Sequence, residues 1–184
     1  VARNLKGHEI QVGRFLVSAS IPVSRELVAL LADYGDPAQA AKSLLNGLRN
    51  AETAVRLEVL AAAEKIPAEH TLTLLLRSLS DADAAVRGKA LHLLARRSLP
   101  VVVKAVLEVI DSPRFNDFSL DEKRRFCVTY GLVGGDLTAW TKHLVSRSLI
   151  ESNESIELKH CTLVTLAVSV HPECTALSER FITK

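Results

Sequence analysis

Apolar residues recur along this chain at helical spacing. In "DADAAVRGKALHLLARR", residues 81–97, Val86, Ala90, Leu93 and Leu94 stand at i, i+4, i+7 and i+8, while Lys89, His92 and Arg96 fall on another face. The pattern predicts an amphipathic helix with one buried stripe and one wetted stripe. Asp81 and Asp83 precede it as N-cap or first-turn anions, where orphan N–H groups and the positive dipole end favour negative charge. The segment is expected to end near Leu99 and Pro100, because proline cannot continue the backbone bonding.

The same pattern occurs upstream. In "NAETAVRLEVLAAAEKIP", Val55, Val59, Ala62, Ala63 and Ile66 form the stripe, Arg56 follows Val55 as Arg87 follows Val86, and Pro67 closes the segment. The two copies are offset by 31 residues. Each is preceded by another amphipathic segment, "PAQAAKSLLNGLR" with Leu44, Leu45 and Leu48, and "EHTLTLLLRSL" with Leu72, Leu75, Leu76 and Leu79. The repeating unit is therefore a pair of helices. Two weaker copies follow, "VVVKAVLEVI" with "LDEKRRFCVTYGLVGG", then "LTAWTKHLVSRSL" with "NESIELKHCTLVTLAVSVHP". At the N-terminus "HEIQVGRFLVSAS" and "PVSRELVALLADYGD" read as a first, degenerate pair, and "ECTALSERFITK" as the start of a last helix.

These residues fix the expected class as all-α. Aromatic content is 4%, apolar–polar alternation is rare, and Ala and Leu dominate the periodic positions, all of which argue against strands. A non-repetitive helical bundle is the rival architecture, since amphipathic helices alone do not require a repeat array.

"DADAAVRGKA" at 81–90 resembles the HEAT repeats, whose pattern places an Asp in the interhelical turn and Val-Arg at the start of the second helix, with Ala to follow. Asp81 stands six residues before Arg87, and Asn50 six before Arg56. The resemblance implies a right-handed superhelix of helical hairpins and a ladder of Asn50, Arg56, Asp81 and Arg87 binding the turns of neighbouring repeats. It covers roughly residues 37–171, following a degenerate pair at 1–36 and preceding a C-terminal helix at 172–184 within one array spanning 1–184. The match is specific for two repeats and looser beyond them, where Arg124 fits but Phe118 lacks the turn Asp and Glu157 replaces the Arg. "SPRFNDFSLDEKRRFCVTYGLVGGD" also resembles a variant found in bacterial HEAT proteins.

Composition narrows the function. A chain of 184 residues, 48% hydrophobic, can bury a sizeable core. Its 23 basic and 21 acidic residues leave a formal charge of +2, so no global field draws it to nucleic acid or an anionic membrane. The apolar runs, such as "LPVVV", fall far short of the roughly 20 residues that span a bilayer. "VARNLKGHEIQ" does not read as a signal peptide. Methionine is absent, and Cys127, Cys161 and Cys174 are odd in number and lack C-x-x-C pairing, so a reducing, cytoplasmic compartment is expected.

Catalytic and cofactor chemistry finds little purchase. His160 adjoins Cys161 and His171 precedes Cys174 by three positions, but neighbours on a helix point about 100° apart and cannot readily share one zinc ion. Cys127 and Cys161 read as small buried hydrophobes. "LVGGD" lacks the Lys-Ser/Thr of a phosphate loop, and Gly134 and Gly135 read as a helix C-cap and turn. No catalytic residue, metal or cofactor is expected.

Some bacterial HEAT-like proteins are DNA glycosylases for alkylated purines, so the resemblance also implies a nucleic-acid alternative. Such an enzyme needs a continuous cationic track and aromatics to hold a displaced base. Successive second helices instead carry −1 over 51–66, +3 over 83–98, +1 over 119–131 and −1 over 154–171, and the single tryptophan, Trp140, lies in a predicted first helix. What remains is the basic stripe Lys89, His92 and Arg96, with Arg97 beside it. In HEAT arrays second helices usually line the concave face, so the resemblance implies that this stripe meets a protein partner with an acidic segment. It also reads as a solvated face whose terminal arginines suit the helix dipole. The expected function is a non-enzymatic protein-interaction scaffold.

Overall fold

Prolines and aspartates begin several of the described helices. The computed structural model describes residues 5–134, which are all-α. The chain divides into two compact units, Val1–Leu93 and Leu94–Lys184.

In the first unit three helical pairs follow one another: α1 (Glu9–Phe15) with α2 (Ile21–Tyr34), α3 (Pro37–Gly47) with α4 (Thr53–Ala63), and α5 (Ala68–Ser78) with α6 (Ala84–Leu94). Pro37 opens α3, and the Asp36 carboxylate accepts the Gln39 N–H at 3.1 Å. The proline has no N–H to leave unpaired in that first turn, and the acid satisfies another orphan donor. Each helix from α3 to α6 has 11 residues, about 16 Å at the α-helical rise, so the arms of successive pairs match in length.

The pairs stack in two layers. α1 packs on α3 and α3 on α5, while α2 packs on α4, and contacts of α2 and α4 with α3 join the layers. Leu16, Leu31, Leu44, Val55, Val59, Leu60, Leu74 and Leu75 are sealed between them. All five apolar positions expected for the second pair, Val55, Val59, Ala62, Ala63 and Ile66, are buried, as are Val86, Ala90 and Leu94; Leu93 is half-buried. Of the first-helix leucines, Leu44, Leu75 and Leu79 are buried, and Leu45, Leu48, Leu72 and Leu76 are half-buried at the margin of the core.

Two glycines set how closely the helices approach. A Cβ at Gly13 would lie 2.7 Å from the Ser43 Cβ and 2.8 Å from its carbonyl oxygen, and one at Gly47 would lie 2.5 Å from a Val59 methyl. The α1–α3 crossing thus brings backbone against backbone, with Ser43 Oγ buried there and unpartnered among the described residues.

The second unit contains α7 (Pro100–Ile110), a 3-10 turn at Pro113–Asp117 and α8 (Leu120–Leu132), with α7 packed on α8. Phe115, Phe118 and Phe126 form its aromatic centre, with ring centroids 5.6–6.0 Å apart. Gly134 follows α8 at φ +84°, the left-handed turn expected of a glycine C-cap. The Ser98 hydroxyl donates to the Val133 carbonyl at 3.0 Å beside it.

Two boundaries differ from the sequence expectation. α6 stops at Leu94 rather than near Leu99, because the chain turns at once, with the Arg97 N–H on the Leu94 carbonyl at 2.8 Å. The prolines start helices more than they end them: Pro67 is the N-cap of α5, and Pro100 is the first residue of α7. Gly135, Trp140, Glu157, His160, Cys161, His171, Cys174 and the elements expected after residue 134 lie outside the described residues. No helix among the described residues is long and apolar enough to cross a membrane.

Candidate interaction surface

The turn between paired helices repeats one set of bonds. Asp81 Oδ1 accepts the N–H of Asp83 at 2.8 Å, and Asn50 Oδ1 accepts that of Glu52 at 2.9 Å. Each turn is then clamped by the arginine six residues on. The Arg87 Nη1 donates to the carbonyls of Asp81 and Ala82 at 2.7 and 2.8 Å, and the Arg56 Nη1 to those of Asn50 and Ala51, both at 2.9 Å.

Arg56 also reaches across to the next pair. Its Nε and Nη2 donate to the two carboxylate oxygens of Asp81 at 2.9 and 3.1 Å, in a fork geometry that suits guanidinium and carboxylate planes. The four residues expected to form a ladder, Asn50, Arg56, Asp81 and Arg87, are therefore joined in one hydrogen-bonded chain. Thr53 adds a second strut, donating to Asp83 Oδ2 at 3.2 Å. Asp83 caps α6, and the Ala85 N–H is the main cause of its lowered pKa; desolvation opposes this and the Thr53 hydroxyl assists.

At the preceding turn the ladder changes partners. Ser24, buried in α2, donates to the Ala19 carbonyl five residues back, as Arg56 does to Ala51 and Arg87 to Ala82. A serine is too short to reach the next turn. Asn50 bridges the gap by donating from Nδ2 to the carbonyls of Leu16 and Ala19 at 2.8 and 3.0 Å. Asparagine thus replaces aspartate where the neighbour offers carbonyls instead of a guanidinium. Sequence reasoning missed Ser24 and Thr53; the signal for Ser24 was its position 32 residues before Arg56, one more than the repeat offset.

In the second unit Arg124 departs from the pattern. It meets Asp121 at 3.4 Å, and its Nε is buried without a partner among the described residues. The turn position before it holds Phe118, which joins the aromatic centre and presents no carboxylate.

Solvent-accessible charged pairs link successive second helices. Arg25 on α2 meets Glu58 on α4 at 2.7 Å, Lys65 just past α4 meets Asp33 on α2 at 3.0 Å, and Lys89 on α6 meets Glu64, the C-cap of α4, at 2.6 Å. Exposed pairs of this kind contribute at most about 1 kcal/mol each, so they favour register more than strength. They also alter the expected basic stripe. Lys89 is half-buried and already paired, His92 is exposed on the last turn of α6, and Arg96 and Arg97 follow that helix instead of continuing its face. Arg96 is exposed, and partial burial lowers the pKa of Arg97.

Cys127 is a buried thiol in α8. Among the described residues no cluster of three or more His, Cys, Asp or Glu side chains could hold a metal ion. No family model matches the chain, nor does any curated protein or solved structure.

Proposed function

We propose that this protein is a non-enzymatic interaction scaffold of HEAT-like helical repeats, acting in the cytoplasm, whose second helices recognise a protein partner bearing an acidic segment. The observation that carries this reading is the Asn50–Arg56–Asp81–Arg87 ladder, which locks successive turns so that side chains from different pairs hold fixed spacing. A prefixed surface loses little conformational entropy on its own side when an extended partner binds. His92 and Arg96 are its exposed basic contacts, Lys89 contributes through a pair with Glu64 that an acidic partner competes for, and Arg97 adds charge at the turn.

The test is capture of partners from lysate by wild-type chain and by His92→Glu and Arg96→Glu variants, singly and together, with and without nuclease. A protein retained after nuclease and lost with the charge reversals supports the reading. Recovery of nucleic acid, with all other material lost after nuclease, would replace it with a nucleic-acid-binding role, the glycosylase among them.

A further inference from the structure

Arg49 and Arg77 carry charge that the fold leaves unused. They border an open cleft of about 400 Å³ in the first unit, where the C-terminal end of α3 faces that of α5, lined also by Leu45, Leu48, Ser80 and Asp81. Both arginines are exposed, and among the described residues neither guanidinium has a hydrogen-bonding or ionic partner. Asp81, the acid in the lining, is matched by the Arg56 guanidinium at 2.9 Å, so its charge does not answer theirs.

The helix dipole explains part of this. Arg77 lies in the last turn of α5, where the negative dipole end attracts a cation. Arg49 lies beyond the end of α3, and the repeat offset places Ser80, not an arginine, at its equivalent. The two cations thus come from different positions of successive pairs and converge on one cleft without a structural role in either turn. Leu45 and Leu48, half-buried, give it an aliphatic wall, and among the described residues no aromatic side chain lines it to stack a base.

We propose that this cleft docks an extended acidic peptide segment of a protein partner, with carboxylates on Arg49 and Arg77 and an aliphatic side chain against Leu45 and Leu48. Guanidinium groups bind carboxylates bidentately, as they also do phosphates, and a lining of aliphatic side chains favours a peptide's carboxylates over a nucleic acid. The inference rests on the scaffold reading but does not depend on the His92 face.

The experiment measures fluorescence anisotropy of a labelled peptide in which glutamates flank a leucine, titrated with the full chain, beside its all-glutamine counterpart and a labelled oligothymidylate. The wild-type chain should bind the glutamate peptide, more weakly as salt rises. Arg49→Gln/Arg77→Gln should weaken binding by about tenfold, the scale of two exposed charge pairs acting together, with the helical circular dichroism unchanged. Arg49→Glu/Arg77→Glu should weaken it further, and Lys42→Gln, an exposed cation of α3 outside the cleft lining, should leave it unaltered.

Equal binding of the glutamine peptide, preference for the oligonucleotide, no peptide binding by the folded wild-type chain, or undiminished binding by the cleft variants would each overturn the inference. Loss of peptide binding through His92→Glu and Arg96→Glu alone would overturn the cleft while leaving the scaffold reading intact. Failure of the scaffold reading shows separately, as the absence of any nuclease-resistant captured partner.

Discussion

Asp81 accepts the guanidinium of Arg56 through both carboxylate oxygens, at 2.9 and 3.1 Å, although the two residues belong to different helical pairs. Their side chains are only 10% and 9% exposed. Burial makes the pair an all-or-nothing contact: intact, its attraction offsets desolvation, and broken, it leaves a charge stranded in a low-dielectric site. Asp81→Asn, which keeps the shape and removes the charge, should lower the unfolding free energy by about 3 kcal/mol. Urea denaturation of the two single variants and Arg56→Met/Asp81→Asn would measure the coupling as a double-mutant cycle. The double variant should not regain wild-type stability, because Arg56 also holds the carbonyls of Asn50 and Ala51.

The reversed polarity at Asn50 gives a second prediction. Its amide donates to Leu16 and Ala19, so Asn50→Asp would set a carboxylate against two carbonyls, although aspartate stands at the equivalent Asp81. The substitution should cost about 1–3 kcal/mol, the range for leaving buried polar groups unsatisfied. Thermal unfolding would detect it; an unchanged or raised Tm would contradict the assigned polarity.

Gly13→Ala should destabilise the α1–α3 crossing. The added methyl would meet the Ser43 backbone oxygen at 2.8 Å, which cannot rotate away as a side chain can. Overpacking of this kind costs about 1–3 kcal/mol, and proteolysis of the N-terminal pair would report the loosening directly.

Glu9 predicts a dependence on pH. It is 1% exposed and accepts the N–H groups of Asp36 and Gly7 at 2.9 and 2.8 Å, tying the start of α1 to the turn before α3. The Asp36 N–H is the main cause of its lowered pKa, outweighing the opposing effect of burial. A carboxyl depressed on folding contributes stability that is present above its unfolded pKa, about 4.3, and lost as pH falls through its folded value. Thermal unfolding across the acid range should therefore show a steeper loss for wild type than for Glu9→Gln, whose Tm should already be lower at neutral pH.

Much of the fold and part of the site are legible in the chain. The periodic stripes of α3 to α6 identify three-turn helices in pairs, because one buried face demands apolar residues every three or four positions. The paired recurrence of Val55–Arg56 and Val86–Arg87 marks the clamp residues, since each arginine acts largely on its own turn through short-range bonds. The stop of α6 was not legible: no proline or glycine marks Leu94, and the turn that follows draws on backbone bonds that most residues can make.

Sequence alone thus determined the all-α class, the helical pairing and the arginines that clamp their own turns, all set by local periodicity and by bonds within about six residues. Tertiary structure decided that Asn50 would donate where Asp81 accepts, that Lys89 would meet Glu64, and that Arg49 and Arg77 would face one cleft. Each of these depends on which group a neighbouring pair presents, and partners separated by a whole repeat meet only once the layers have packed.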